Sequence, residues 1–122
     1  MDALVDKTST EELMIWYVVP ALRRYLEFGL KPGSSTLAII EGRLFAVSSR
    51  MDRNLRPLLF ELTDLISNSW NQDLYGSPET VQKYITLKQE RPYRAPDVKE
   101  ELRALDDWSK QLQKRHDSRM TV

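Results

Sequence analysis

The spacing of apolar positions predicts helices along most of the chain. Ser9 and Glu12 have the spacing of a capping box and mark the start of the first helix. The apolar run over residues 13–19 is too continuous for a helix with one buried face, so it predicts a central helix contacted on several sides. Pro20 removes one backbone hydrogen bond and predicts a kink. Gly29 is a natural end for this helix.

Residues 36–47 are compatible with two structures. Two short strands could flank a turn at Glu41 and Gly42, which would make a hairpin. Against this, apolar side chains recur at steps of three and four residues, as on one face of a helix: Leu37, Ile40, Leu44, Val47 and Met51. We therefore favour a helix capped by Ser34 or Ser35, with Gly42 costing about 1 kcal/mol relative to alanine. The hairpin stays open as the alternative.

Two further helices follow from proline and capping signals. Asn54 can cap a helix over residues 54–68, in which Pro57 is tolerated because it falls in the first turn. Ser77 is a suitable capping residue and Pro78 a suitable first residue for a helix over residues 78–88.

The chain ends in a helix rich in charges, predicted over residues 97–116, with a frayed end at 117–122. Asp106 and Lys110 have the spacing of a stabilising ion pair on its surface. The helix has one narrow apolar stripe, formed by Val98, Leu102, Leu105, Trp108 and Leu112. The predicted fold is an all-α, compact bundle of four to five helices. Its helical core domain spans residues 1–92, and the charged helix of residues 93–122 either packs on that core or protrudes to a partner.

Composition narrows the classes of function. At 122 residues the chain has the length of one domain, and its 18 basic and 18 acidic residues balance. A nucleic-acid-binding protein usually shows a basic excess, so this class is not favoured. The chain has no cysteine, which excludes disulfides and thiolate zinc sites. Apolar stretches are too short for a membrane span and the N-terminus lacks a signal-peptide pattern, so we expect a cytoplasmic protein without a membrane partner.

No catalytic, metal-binding or cofactor-binding constellation is recognisable in the sequence. His116 is the only histidine, and we interpret it as a solvated residue in the last helical turn. Neighbouring acids on a helix point about 100° apart, so they do not converge on one atom. This applies to Glu11 with Glu12, Glu100 with Glu101, and Asp106 with Asp107. We therefore predict no enzyme, no cofactor and no metal.

Partner contacts are expected at two kinds of position. Basic side chains beside aromatic ones are typical of nucleic-acid surfaces, as at Arg23-Arg24-Tyr25 and Tyr93-Arg94. The apolar stripe, with Trp108 as its anchor, is suited to a partner protein or to a second copy of the chain in a homodimer. The candidate partner-binding residues are Arg23, Arg24, Tyr93, Arg94, Leu105, Trp108 and Leu112.

Four short stretches in the middle of the chain also indicate which kind of protein family the chain comes from. They are residues 20–26 (PALRRYL), 32–34 (PGS), 52–54 (DRN) and 75–79 (YGSPE) with Val81. Over about residues 16–86, the chain resembles a family of short uncharacterised bacteriophage and prophage proteins, in which these stretches occur in this order at similar spacing. Leu74 and Tyr75 stand where family members tend to carry Cys-Trp, and the helix after residue 95 has no counterpart.

The resemblance implies an accessory phage product that acts on host machinery, and it carries over no functional residue. The expected function is non-enzymatic protein–protein binding that inhibits or modulates a bacterial host system, such as a defence complex in an anti-CRISPR-like manner, in the host cytosol. The alternative is a small nucleic-acid-binding regulator or accessory factor.

Overall fold

The computed structural model describes residues 10–43 and 55–120, and within these ranges the chain has five helices and no strand. The predicted all-α bundle is therefore confirmed. The predicted caps Ser9 and Asn54 lie outside the described residues. The helices are α1 Thr10–Leu13, Met14–Val18 (π-helical) and Val19–Phe28; α2 Ser34–Ile40; α3 Arg56–Ser69; α4 Pro78–Glu90; and α5 Lys99–Met120. Helix α1 is continuous over its three segments, and short 3₁₀ turns (Gln72–Leu74 and Pro92–Arg94) precede and follow α4.

Helix α1 contains one π-helical turn directly before Pro20. The amide of Val19 donates to the carbonyl of Met14, five residues back, instead of four as in an α-helix. Met14 and Val19 are both buried, so the buried face advances by five residues here. The kink expected at Pro20 stays a prediction. The structure shows this wider turn directly before the proline, and the turn changes the side of α1 on which the intervening side chains lie.

Helix α2 ends at Ile40, before the glycine that follows it. Gly42 has a φ of +81°, and a Cβ atom there would meet the carbonyl oxygen of Gly76 at 3.0 Å. The amide of Gly76 in turn donates to the carbonyl of Ile40 at 2.8 Å. The helix predicted to continue through Gly42 is therefore wrong, while Leu44, Val47 and Met51 lie outside the described residues. The predicted serine cap is also wrong, because Gly33 occupies the capping position without a side-chain bond.

The start of α4 follows its sequence signals. The Ser77 hydroxyl accepts a hydrogen bond from the amide of Thr80 at 3.1 Å, and Pro78 is the first helical residue. The helix then continues two residues beyond its predicted end, to Glu90.

Two tyrosines join α1 to α4 in the centre of the bundle. The rings of Tyr25 and Tyr84 pack edge to face with centroids 5.1 Å apart. The Tyr25 hydroxyl donates to the carbonyl of Leu74 at 2.8 Å, and the Tyr84 hydroxyl donates to the carbonyl of Leu26. Each buried hydroxyl thus has a partner, which avoids the cost of an unsatisfied polar group. Burial raises the pKa of Tyr25 far above its ordinary value, with a smaller effect from Tyr84.

Helix α5 packs along α1 and α3 and completes the core. Leu105, Trp108 and Leu112 are all buried in it. The helix runs to Met120, so the fraying predicted for residues 117–120 is wrong.

Glycine at position 29 is required by both backbone conformation and space, and we predict that Gly29→Ala destabilises the fold. Its φ is +66°, and a Cβ would lie 2.8 Å from the Cβ of Lys88 on α4. The left-handed conformation alone costs a residue with a Cβ about 1–2 kcal/mol. We therefore expect urea denaturation to show that the free energy of unfolding falls by about 2 kcal/mol or more.

Gly33→Ala is the control, because a Cβ there meets nothing within 4 Å, and it should change the stability by less than about 0.5 kcal/mol. Equal losses in both variants would contradict this account.

Candidate functional site

Glu61 on α3 holds the second half of α5 through two hydrogen bonds. Its carboxylate accepts from the indole nitrogen of Trp108 at 3.2 Å and from the guanidinium of Arg115 at 3.0 Å. The bond from Arg115 lowers the pKa of Glu61 below its ordinary value; burial opposes this effect and the Trp108 bond adds to it. The same pair raises the pKa of Arg115. These contacts are structural, because they link two helices.

Two ion pairs join α5 to α1, and both correct an expectation. Arg23, a predicted partner contact, pairs with Asp106 within the chain, so Asp106 does not form the predicted pair with Lys110. His116 pairs with Glu12, with 3.0 Å between Nε2 and Oε1, and its side chain is only 14% exposed. The interpretation of His116 as a solvated residue is therefore wrong. The sequence could not show these pairs, since they join residues 83 or more positions apart.

Glu101 on α5 is buried, whereas its neighbour Glu100 is exposed. One of its carboxylate oxygens accepts from the amide of Asn71 at 3.0 Å, which joins α5 to the segment after α3. The other oxygen has no hydrogen-bond partner in the part of the chain that the structure describes. Burial, together with the charge of Glu101, raises the pKa of Tyr84 to about 12.

The apolar stripe of α5 does not form the expected partner surface. Leu105, Trp108 and Leu112 are buried within the chain's own core. The narrow stripe predicted a thin interface, but most of it is buried by the packing of α5 on α1 and α3, and only Leu102 is partly exposed. These three residues are therefore withdrawn as partner-binding candidates.

The remaining predicted residues lie on two separate elements. Arg24 is exposed on α1, but the neighbouring Tyr25 is buried, so the expected mixture of bases with an aromatic ring does not exist there. Tyr93 and Arg94 lie on the 3₁₀ turn after α4, where Tyr93 is 79% exposed. Within residues 10–43 and 55–120, Arg94 forms no ion pair.

The most exposed aromatic pair was not predicted from the sequence. Trp16 and Tyr17, on the π-helical turn, are 69% and 70% exposed. With Glu12 and Leu13 they line a cavity of about 170 Å³ on the surface of α1. We call these four residues the Trp16 surface.

The expectation that the apolar run of residues 13–19 is contacted on several sides is wrong for Trp16 and Tyr17. The available signal was the run itself, which holds more large apolar residues than one helix face can bury.

The described residues also bear on two further possibilities, a metal site and a membrane span. In residues 10–43 and 55–120, no three acidic, histidine or cysteine side chains lie where they could together hold a metal ion. None of the helices in these ranges is both long and apolar enough to cross a bilayer. No family model matches the chain, and no curated protein or solved structure is significantly similar to it. The resemblance to phage proteins therefore stays a prediction.

Glu61 gives a stability prediction that depends on pH. Because its pKa is lower in the folded than in the unfolded chain, its stabilising effect is present above the unfolded pKa and is lost as the pH falls through the folded one. We expect Glu61→Gln to cost about 1 kcal/mol at pH 7. The difference from the parent chain should shrink below about pH 4.5, the ordinary pKa of the group.

The measurement is urea denaturation of both chains across pH 3–8. Asp64→Asn is the matched control, because Asp64 is an exposed acid on the same helix and its loss should change the stability by less than about 0.5 kcal/mol. A deficit in Glu61→Gln that stays constant down to pH 3 would contradict the assigned role of the carboxylate.

Proposed function

We propose that this chain is a non-enzymatic protein-binding factor whose partner docks on the Trp16 surface. The observation that carries the proposal is the exposure of Trp16 and Tyr17 side by side on one turn. Single exposed apolar residues are normal on a protein surface, whereas adjacent large ones mark interaction sites. Tryptophan and tyrosine are also enriched among residues that dominate binding energy.

The size of the surface indicates the centre of an interface. Two aromatic side chains contribute roughly 300–500 Å² when buried, and a stable interface covers about 800 Å² on each partner. A partner on the Trp16 surface therefore also covers neighbouring parts of α1. The polar groups beside it are already ordered by the His116–Glu12 pair, so binding there needs little rearrangement of side chains.

The biological setting of the proposal comes from the sequence. The resemblance to phage proteins over about residues 16–86 favours a factor that inhibits or modulates a bacterial host system, such as a defence complex in an anti-CRISPR-like manner. The proposed place of action is the host cytosol. A non-enzymatic role is favoured because the buried acid Glu101 and the histidine His116 are occupied by structural contacts.

The proposal predicts that polar substitutions on the Trp16 surface abolish partner binding without unfolding the chain. The tagged full-length chain is used to capture proteins from a bacterial lysate, and the captured protein is then purified and titrated by calorimetry. An aromatic anchor contributes about 2 kcal/mol or more, which corresponds to about 30-fold in affinity. Because losses at neighbouring anchors are not additive, Trp16→Gln with Tyr17→Gln should weaken the affinity by at least this factor.

Phe28→Gln is the matched control for this experiment. Phe28 is a large exposed residue on the same helix, 59% exposed, and roughly 18 Å further along it by the rise of an α-helix. It should bind the partner with unchanged affinity. The proposal is contradicted if the double variant binds as well as the parent chain, or if both variants lose binding equally. Sedimentation of the parent chain shows whether the partner is a second copy.

A second candidate, a small nucleic-acid-binding factor, is favoured by one observation. Arg91, Tyr93 and Arg94 are all exposed at the 3₁₀ turn after α4. Lys83 and Arg94 also line one cavity of about 260 Å³, which they share with Asp73. An exposed ring between bases can stack on a nucleotide base while the bases contact phosphates. The acid in the same cavity and the balanced net charge make this candidate weaker than the first.

This candidate predicts a shallow salt dependence. A single strand held by the three bases Lys83, Arg91 and Arg94 should bind with a slope of log K against log salt of about −2, because each phosphate contact contributes about −0.7. Arg94→Gln should reduce the slope by about 0.7, whereas Arg103→Gln, on α5, should leave it unchanged. Absence of binding by fluorescence anisotropy at low salt would exclude the candidate.

A further inference from the structure

The cavity shared by Asp73, Lys83 and Arg94 lies between α4 and the two segments that flank this helix. One wall is a single face of α4, on which the lining residues are three or four positions apart: Thr80, Lys83, Tyr84 and Leu87. The other wall is formed by Asp73 in the 3₁₀ turn before α4, and by Arg94 and Pro96 in the connection to α5. We call this the α4 cavity.

Hydrogen bonds hold the segments that form the outer wall of the α4 cavity. The Asn71 side chain accepts from the amide of Asp73 at 2.9 Å, and the Asn71 amide donates to the buried Glu101 on α5 at 3.0 Å. On the other side of the cavity, the amide of Arg94 donates to the carbonyl of Arg91 at 2.9 Å. The backbone at Asp73 and at Arg94 is therefore ordered before a ligand binds, which lowers the entropic cost of binding.

Three charged side chains of the α4 cavity are available to a ligand. Asp73, Lys83 and Arg94 are all exposed. Within residues 10–43 and 55–120, none of their charged groups forms an ion pair or a hydrogen bond, either with each other or with another side chain. A ligand that is only an anion is disfavoured by Asp73, and a ligand that is only a cation is disfavoured by the two bases. The charges are complementary to a ligand that carries both signs.

The volume and the apolar part of the α4 cavity restrict the ligand further. The cavity holds about 260 Å³, which is just below the range of about 300–1,000 Å³ for drug-sized ligands. At about 30 Å³ for each water-sized group, it accommodates about nine such groups. This is the size of a free amino acid and is too small for a nucleotide. Leu87 and Pro96 offer an apolar wall to a short side chain.

We infer that the α4 cavity binds a free amino acid with an aliphatic side chain, such as leucine. The planar guanidinium of Arg94 matches the two oxygens of the ligand's carboxylate, and Lys83 adds a second positive charge. Asp73 accepts hydrogen bonds from the ligand's ammonium group, so the acid that counts against a nucleic acid is required here. The cavity shares no lining residue with the Trp16 surface. The inference therefore goes beyond the proposed function and does not depend on it.

The direct test is the titration of four ligands into the ¹⁵N-labelled full-length chain. Compared with leucine, leucinamide lacks the carboxylate, N-acetyl-leucine lacks the ammonium group, and glycine lacks the side chain. Leucine should shift the amide signals of Thr80, Leu87 and Arg94 with a Kd between about 1 μM and 1 mM, the range for a ligand of this size. Each of the other three should bind at least about tenfold more weakly, because it leaves one part of the site unmatched.

Three results of this titration would overturn the inference. They are the absence of leucine binding at millimolar concentration, equal binding of leucine and any of the three analogues, and shifts confined to other parts of the chain.

Two variants test which charge of the cavity contacts which group of the ligand. Arg94→Gln should weaken leucine binding about tenfold but leave the weaker binding of leucinamide unchanged, because leucinamide has no carboxylate to lose. By the same reasoning, Asp73→Asn should weaken leucine binding and leave that of N-acetyl-leucine unchanged. Equal weakening of all ligands by either variant would contradict the assigned contacts.

Arg91→Gln is the matched control for these variants. Arg91 is an exposed arginine three residues before Arg94, and it does not line the α4 cavity. This variant should bind leucine like the parent chain, and so should the Trp16→Gln, Tyr17→Gln variant. A loss in Arg91→Gln as large as that in Arg94→Gln would show a general effect of charge and overturn the inference. A loss in the Trp16→Gln, Tyr17→Gln variant would place the ligand at the wrong site.

Discussion

The burial of α5 against α1 and α3 is the contact on which the rest of the structure depends. Trp108 illustrates this, because its ring is buried in the core while its indole nitrogen donates to Glu61. Removing such a side chain leaves a cavity and takes away one of the two hydrogen bonds of the Glu61 carboxylate, and each of these losses is costly. Two ion pairs, from Asp106 and His116 to α1, flank this contact.

The exposed aromatic pair is a consequence of that arrangement. Once α5 has covered one side of α1, the π-helical turn before Pro20 advances the buried face from Met14 to Val19. The side chains between these two positions then cannot all reach the core, and Trp16 and Tyr17 are left in solvent. π-helical turns carry a local cost and are frequently found at functional sites. The fold therefore explains why two large aromatic side chains are exposed here, whereas Trp108 on the last helix is buried.

Local signals in the sequence predicted local structure well. Ser77 with Pro78 marked the start of α4, and Gly29 marked the end of α1, because capping and backbone conformation depend on a few adjacent residues. The same reasoning failed where contacts between residues far apart in the sequence determine ion pairing and burial. Neither the pairing of Arg23 with Asp106 nor the burial of Glu101 can be inferred from spacing, and the π-helical turn shifted the predicted buried face of α1.

The central claim is that Trp16 is exposed while the other two tryptophans, 5% and 6% exposed, belong to the core. Quenching of fluorescence by acrylamide in chains that retain one tryptophan each, with phenylalanine at the other two positions, measures this directly. The account predicts strong quenching and red-shifted emission for Trp16, and weak quenching for Trp70 and Trp108. Quenching of Trp108 as strong as that of Trp16 would show that α5 does not cover α1 as described and would contradict the account.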